Sequence, residues 1–134
     1  MIKRLHHVGI AVNNLDESIS LYEQILGVKP HSIEDIPTQR VKAAFFKVGE
    51  ETEVELIQPT VSDSGVARFL KNRGQGIHHI CFEVDDVDGE LKAMTEKGME
   101  LIDRQGRTEP AGKVGFLHPK STRGVLIELI QFET

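Results

Sequence analysis

One cysteine, Cys81, stands in a chain of 134 residues. A disulfide within the chain is therefore excluded, as are a CxxC redox motif and a zinc ribbon, and a reducing cytoplasmic setting is expected. A basic excess is lacking too. Lys+Arg 16 against Asp+Glu 21 gives a formal net charge of -5, the wrong sign for a nucleic-acid partner. The opening Met1-Ile2-Lys3-Arg4-Leu5-His6-His7 never becomes an uninterrupted apolar run, so neither a signal segment nor a membrane partner is expected. Gly106, Gly112 and Gly115 do not make a GxGxxG or a P-loop, and no nucleotide fold is implied. What is present suffices for one compact domain: hydrophobic residues are 39% and charged residues 28% of the chain, apolar enough for a core and too apolar for disorder.

The chain contains its own copy. Leu5-His6-His7-Val8-Gly9-Ile10-Ala11-Val12-Asn13-Asn14-Leu15-Asp16 aligns without a gap on Ile77-His78-His79-Ile80-Cys81-Phe82-Glu83-Val84-Asp85-Asp86-Val87-Asp88, an offset of 72 residues. Glu55-Leu56-Ile57-Gln58 returns letter for letter as Glu128-Leu129-Ile130-Gln131, an offset of 73. Similarity between two amphipathic segments explains the shared apolar period but not both the His-His pairs and the Glu-Leu-Ile-Gln copies.

Each copy reads as a strand, a helix and further strands. Val8, Ile10 and Val12, or Ile80, Phe82 and Val84, alternate at the period of two that marks a strand. That face covers the helix. The other carries Leu5, His7, Gly9 and Ala11, or Ile77, His79, Cys81 and Glu83, where small residues leave room around an imidazole. A helix follows, with Asn14 or Asp16 as cap, apolar residues at 15, 19, 22 and 26, and Gly27 as stop. Its copy runs from Val87 towards Gly98. Strands are expected over 39–48 and 53–57, then 101–103, 114–118 and 125–132, with a short helix over 65–72 before Gly74-Gln75-Gly76. The fold class is thus α+β, two strand-helix-strand modules in tandem: module 1 over about 1–60, a connecting helix and joint over about 61–75, and module 2 over about 76–134.

His7 and His79 hold equivalent strand positions, as do Glu55 and Glu128. A pseudo-twofold arrangement of the modules gathers two imidazoles and two carboxylates, a donor set suited to one divalent Mn, Fe, Co, Ni or Zn ion. Glu128 carries the local argument, because it interrupts the apolar run Val125-Leu126-Ile127-Glu128-Leu129-Ile130, and a buried unpaired carboxylate costs several kcal/mol. A lysine or arginine partner for Glu128, and hydrogen-bonded core histidines at 7 and 79, remain the competing explanations. His6 and His78 face the other side of their strands and are read as structural. Cys81 is read as a small core residue. Lys113, Lys120 and Arg123 form a small basic set around His118-Pro119.

Paired modules that each donate one His and one Glu resemble the vicinal-oxygen-chelate superfamily, whose βαβββ modules form a curved mixed sheet around a metal cleft. The resemblance covers nearly the whole chain. The stretches Gly76-Ile77-His78-His79-Ile80-Cys81-Phe82-Glu83-Val84-Asp85, Phe116-Leu117-His118-Pro119-Lys120 and Gly124-Val125-Leu126-Ile127-Glu128-Leu129 look most like the methylmalonyl-CoA epimerase family. His-Pro-Lys before the last strand sets it apart from glyoxalase I relatives, which tend to show Asp-Pro-Asp-Gly there.

The resemblance implies His7, Glu55, His79 and Glu128 as metal ligands, an acyl-CoA substrate, a homodimer, and inversion at C2 of a malonyl-type thioester. Inversion needs two proton-transferring groups. Glu128 is one. Several relatives carry a glutamate where this chain has Ala43, so the second is left unassigned. Lys120 is the expected anchor for the phosphates of coenzyme A, with Lys113 and Arg123 as weaker candidates. A glyoxalase I-type lyase, a ring-cleaving dioxygenase and a non-catalytic binding module are the alternative readings.

Overall fold

The computed structural model describes residues 1–132. Their contacts divide into two units, one formed by residues 7–78 and the other by residues 1–6 together with the chain from His79 onward. Both carry the same arrangement of parallel and antiparallel pairs, and the fold class is the expected α+β with two βαβββ modules.

In the first unit the elements are the later part of β1 (Ile2–Ala11), α1 (Leu15–Leu26), β2 (Ser32–Ile36), β3 (Val41–Val48), β4 (Thr52–Pro59) and α2 (Gly65–Arg73). The strand order is β2-β3-β4-β1, with β1 parallel to β4 and the other pairs antiparallel. Asn14 caps α1, its side chain accepting the Glu17 N–H at 3.0 Å, and Gly27 ends it in the left-handed region at φ 73, where a side chain would be strained. Val12, Leu15, Ala44, Phe46 and Leu56 form the core on the α1 face. Ala11, Val41, Ala43, Ile57 and Val66 form that on the opposite face, beside α2. Each fully buried Leu or Phe here adds roughly 1.5–3 kcal/mol.

The second unit repeats this with the later part of β5 (Gly76–Val84), α3 (Val87–Glu96), β6 (Arg107–Glu109), β7 (Gly112–Leu117) and β8 (Leu126–Gln131), in the order β5-β8-β7-β6 with β5 parallel to β8. Asp86 caps α3. Val84, Val87, Leu91, Leu117 and Leu129 fill the helix side, and Cys81, Val114 and Ile130 the other. Gly115 lets α3 approach β7, since a Cβ there would lie 2.8 Å from Leu91 Cδ1.

One expected strand differs from the structure, and one strand of the structure was not expected. Residues 101–103 make only an isolated bridge, Leu101 to Leu117, and the regular edge strand forms later, at Arg107–Glu109. β2 has no counterpart in the sequence reading because Ser-Ile-Glu-Asp-Ile is an edge strand whose middle three residues are exposed, so it lacks a buried alternation.

Candidate metal centre

The Glu-Leu-Ile-Gln repeat assigns one task to each letter. Leu56 and Leu129 enter the helix-side cores, and Ile57 and Ile130 the opposite ones. Gln58 accepts the Leu15 N–H at 2.7 Å, and Gln131 accepts the Val87 N–H at 2.9 Å, each at the start of a helix. The glutamates turn to the same side as the isoleucines, two residues away along the strand.

Register then brings each glutamate to a histidine. Gly9 lies opposite Glu55 across β1 and β4, and Cys81 lies opposite Glu128 across β5 and β8. Each histidine precedes that small residue by two positions and shares its face. Within the first unit His7 Nε2 stands 3.5 Å from Glu55 Oε1. Within the second, His79 Nε2 stands 3.4 Å from Glu128 Oε1. All four side chains are buried, in residues that are 5–7% exposed. Two ligand atoms held about 2.0–2.2 Å from one ion at tetrahedral to octahedral angles lie about 2.8–3.6 Å apart, so both pairs have a separation that suits chelation. The donor set, imidazole nitrogen with carboxylate oxygen, is that of a divalent transition metal.

Other residues divide between structure and surface. His6 packs its ring on Phe132 at 5.0 Å, and His78 meets Phe69 edge-on at 5.1 Å. Cys81 is fully buried within its cluster. Ala43 is 0% exposed and surrounded by apolar side chains. Lys120 and Arg123 are exposed, and the Lys120 backbone N–H is held by His118 Nδ1 at 3.0 Å.

Lys113 is committed elsewhere: its Nζ lies 2.8 Å from Asp88. The hydrogen bond from Lys113, with that from the Gly106 N–H, holds the Asp88 carboxyl below the usual carboxylate range, and the same bond raises Lys113. That pairing spans 25 residues and leaves no mark in the local sequence. In Glu83, partial burial pushes the carboxyl up, but Arg4 at 2.6 Å and Lys3 at 3.6 Å outweigh it and hold the group below its ordinary value. Sequence reasoning passed over one further polar pair in the first unit, His31 Nε2 with Glu53 Oε1 at 3.2 Å. His31 has no counterpart in the repeat, which explains the omission.

Comparison with known proteins places these features. A model of the Glyoxalase/Bleomycin resistance protein/Dioxygenase superfamily matches residues 6–117. The ethylmalonyl-CoA/methylmalonyl-CoA epimerase of Cereibacter sphaeroides is 38% identical, over 98% of this chain and 99% of its own. The mitochondrial methylmalonyl-CoA epimerase of Mus musculus is 37% identical, over 96% of this chain and 72% of its own. A variant of Streptomyces coelicolor methylmalonyl-CoA epimerase, solved with 2-nitronate-propionyl-CoA, superposes with a TM-score of 0.92 at 32% identity and covers 100% of this chain and 97% of that one. The chain belongs to this superfamily and, within it, to the methylmalonyl-CoA epimerase family. Among the described residues no helix is long and apolar enough to cross a membrane.

Proposed function

We propose that this protein is an isomerase that interconverts the (R) and (S) forms of methylmalonyl-CoA by removing and returning the C2 proton. The observation that carries the reading is the pair of buried His–Glu contacts, His7 with Glu55 and His79 with Glu128, set at matching strand positions. Relatives named for this activity, and a relative solved with a CoA thioester analogue, support it. His7, Glu55, His79 and Glu128 hold one divalent cation of the Mn, Fe, Co, Ni or Zn type. That ion, when bound, supplies positive charge next to the thioester oxygen, where negative charge grows in the transition state.

The remaining work falls to the chain. The Glu128 carboxylate takes the C2 proton from one epimer and returns it in the reverse direction. Water is kept from the four donors by their burial, which strengthens the charge interaction within each His–Glu pair. Lys120, exposed beside the start of β8, binds the phosphates of coenzyme A at the surface. The chain works as one domain, with module 1 over about 1–60, a joint over about 61–75 and module 2 beyond. The cytoplasmic setting rests on the single buried thiol, and the homodimer on the family resemblance, to be tested by sedimentation velocity.

Exchange at C2 of methylmalonyl-CoA in D2O, followed by proton NMR and compared with turnover of a methylglyoxal–thiol adduct, tests the reading. Deuterium entry together with loss of optical purity is expected. Turnover of the adduct without exchange of the CoA ester would transfer the assignment to glyoxalase chemistry.

A further inference from the structure

Within the second unit, the face that carries His79 and Glu128 holds a further set of side chains. Glu128 lies opposite Phe116 across β8 and β7, and Arg107 lies opposite Val114 across β6 and β7. Residues two apart leave a strand on one side, so Glu128, Phe116, Val114 and Arg107 share that face. The Phe116 ring meets the His79 imidazole at a steep angle, with centroids 6.4 Å apart and planes at 79°. The Arg107 guanidinium lies over the same Phe116 ring, 5.6 Å from its centroid. Asp103 ties these two residues together: one carboxylate oxygen accepts the Phe116 backbone N–H at 2.9 Å, and the other accepts the Arg107 Nε–H at 3.0 Å. Glu109 accepts from Nη1 at 3.3 Å. The Phe116 carbonyl is held as well, by the N–H groups of Ile102 and Asp103 at 3.0 and 3.2 Å. Residues 101–103 thus use their backbone to fix Phe116 instead of forming a strand.

We propose that Arg107 and Phe116 are positioning residues for His79: the guanidinium, clamped by Asp103 and Glu109, fixes the Phe116 ring, and that ring fixes the imidazole beside Glu128. This rests on the reading of His79 as a metal ligand. Aromatic rings at this separation prefer the edge-to-face arrangement, and a guanidinium over a ring face is attracted by its quadrupole. The clamp is stiff because the Asp103 and Glu109 side chains are only 12% and 7% exposed, and a carboxylate so placed needs its cation. The first unit carries the same pattern in other residues. Phe45 lies opposite Glu55 as Phe116 lies opposite Glu128. His31, held by Glu53 at 3.2 Å, sets its ring 6.1 Å from that of Phe45. Each module therefore places a phenylalanine beside its buried glutamate and backs it with a basic side chain that is itself tied to a carboxylate.

Loss of a partner that orients a ligating side chain typically costs about 10–100-fold in metal affinity, which an ion pair serving stability alone does not. Binding of Co(II) to the chelator-stripped full chain, without substrate and in competition with a chromogenic chelator, measures it. R107A and F116L should each weaken binding roughly 10-fold or more, and the visible bands of the Co(II)-loaded form should shift in both. F116Y, which keeps the ring, should retain affinity and bands. R107A added to F116L should weaken binding little further, since the guanidinium acts through the ring. If F116L does not fold, R107A decides, because position 107 is half exposed. Binding by R107A within about twofold of the unaltered protein, or losses that simply add in the double variant, would overturn the assignment. An unaltered protein that binds no Co(II), or H79A binding it equally well, would instead remove the metal reading on which the assignment rests.

Discussion

Gln58 accepts the backbone N–H of Leu15 at 2.7 Å, so the residue that closes the first Glu-Leu-Ile-Gln also secures the start of α1. Gln131 does the same for Val87 and α3. The motif thus ties a strand carrying a buried glutamate to the helix that packs beneath it. Gln58→Leu and Gln131→Leu should each lower stability by about 1–2 kcal/mol, because a partly buried donor loses its acceptor. The two contacts belong to different units, so their effects should add in the double variant. Midpoints of denaturant unfolding measure both.

His79→Ala removes one nitrogen donor while leaving Glu128 in place. Elemental analysis of protein purified without chelator should show about one divalent ion per chain in the unaltered form and much less in the variant. Full metal content and activity in the variant would remove His79 from the ligand set.

Glu128→Gln keeps an oxygen for coordination and loses the basic carboxylate. Metal content should persist while C2 exchange falls by roughly 10²-fold or more. Near-normal turnover with metal retained would assign Glu128 to coordination alone.

Lys120→Ala should raise KM for methylmalonyl-CoA several-fold with little change in kcat, as expected when binding distant from the reacting carbon is lost. The variant's KM should also depend less on ionic strength. An unchanged KM, with a short acyl-pantetheine thioester serving as well as the CoA ester, would sink the phosphate role.

The Asp88–Lys113 pair sets a pH dependence. Asp88 lies below its ordinary value when folded, through the Lys113 hydrogen bond first and the Gly106 N–H second. Its contribution is therefore present at neutral pH and is lost as pH falls below the ordinary carboxylate range. Lys113 is raised by the same pair, so its share is lost only as pH rises through its elevated value. The melting difference between Lys113→Met and the unaltered protein should accordingly shrink as pH is lowered from 7 into strong acid. Both side chains are largely exposed, so the difference should also be small and salt-sensitive.

Those residues mark how far the sequence could be read. The duplicated His and Glu positions were legible because a repeat compares the chain with itself, and the helix boundaries because Asn14 and Gly27 act locally. Each meets its partners within one turn of helix. The sequence groups Lys113 with Lys120 and Arg123 as a weaker candidate for the coenzyme A phosphates, because Asp88 reaches it only through the fold. His31 was passed over for a related reason: its partner Glu53 lies two strands away and belongs to no motif. The edge strand Ser32–Ile36 escaped because exposed residues carry no burial period.

The strand β1 is divided between the two units, residues 1–6 grouping with the second and residues 7–11 with the first. Arg4 finds Glu83 across 79 residues of chain. During synthesis the leading end of this strand is made first and satisfied late, since Glu83 follows the whole of the first unit from the ribosome. Contacts this distant in sequence are costly to close early. A fragment ending at Gly74 carries one full copy of the repeat but lacks Glu83, so it leaves Arg4 without the partner it meets in the whole chain.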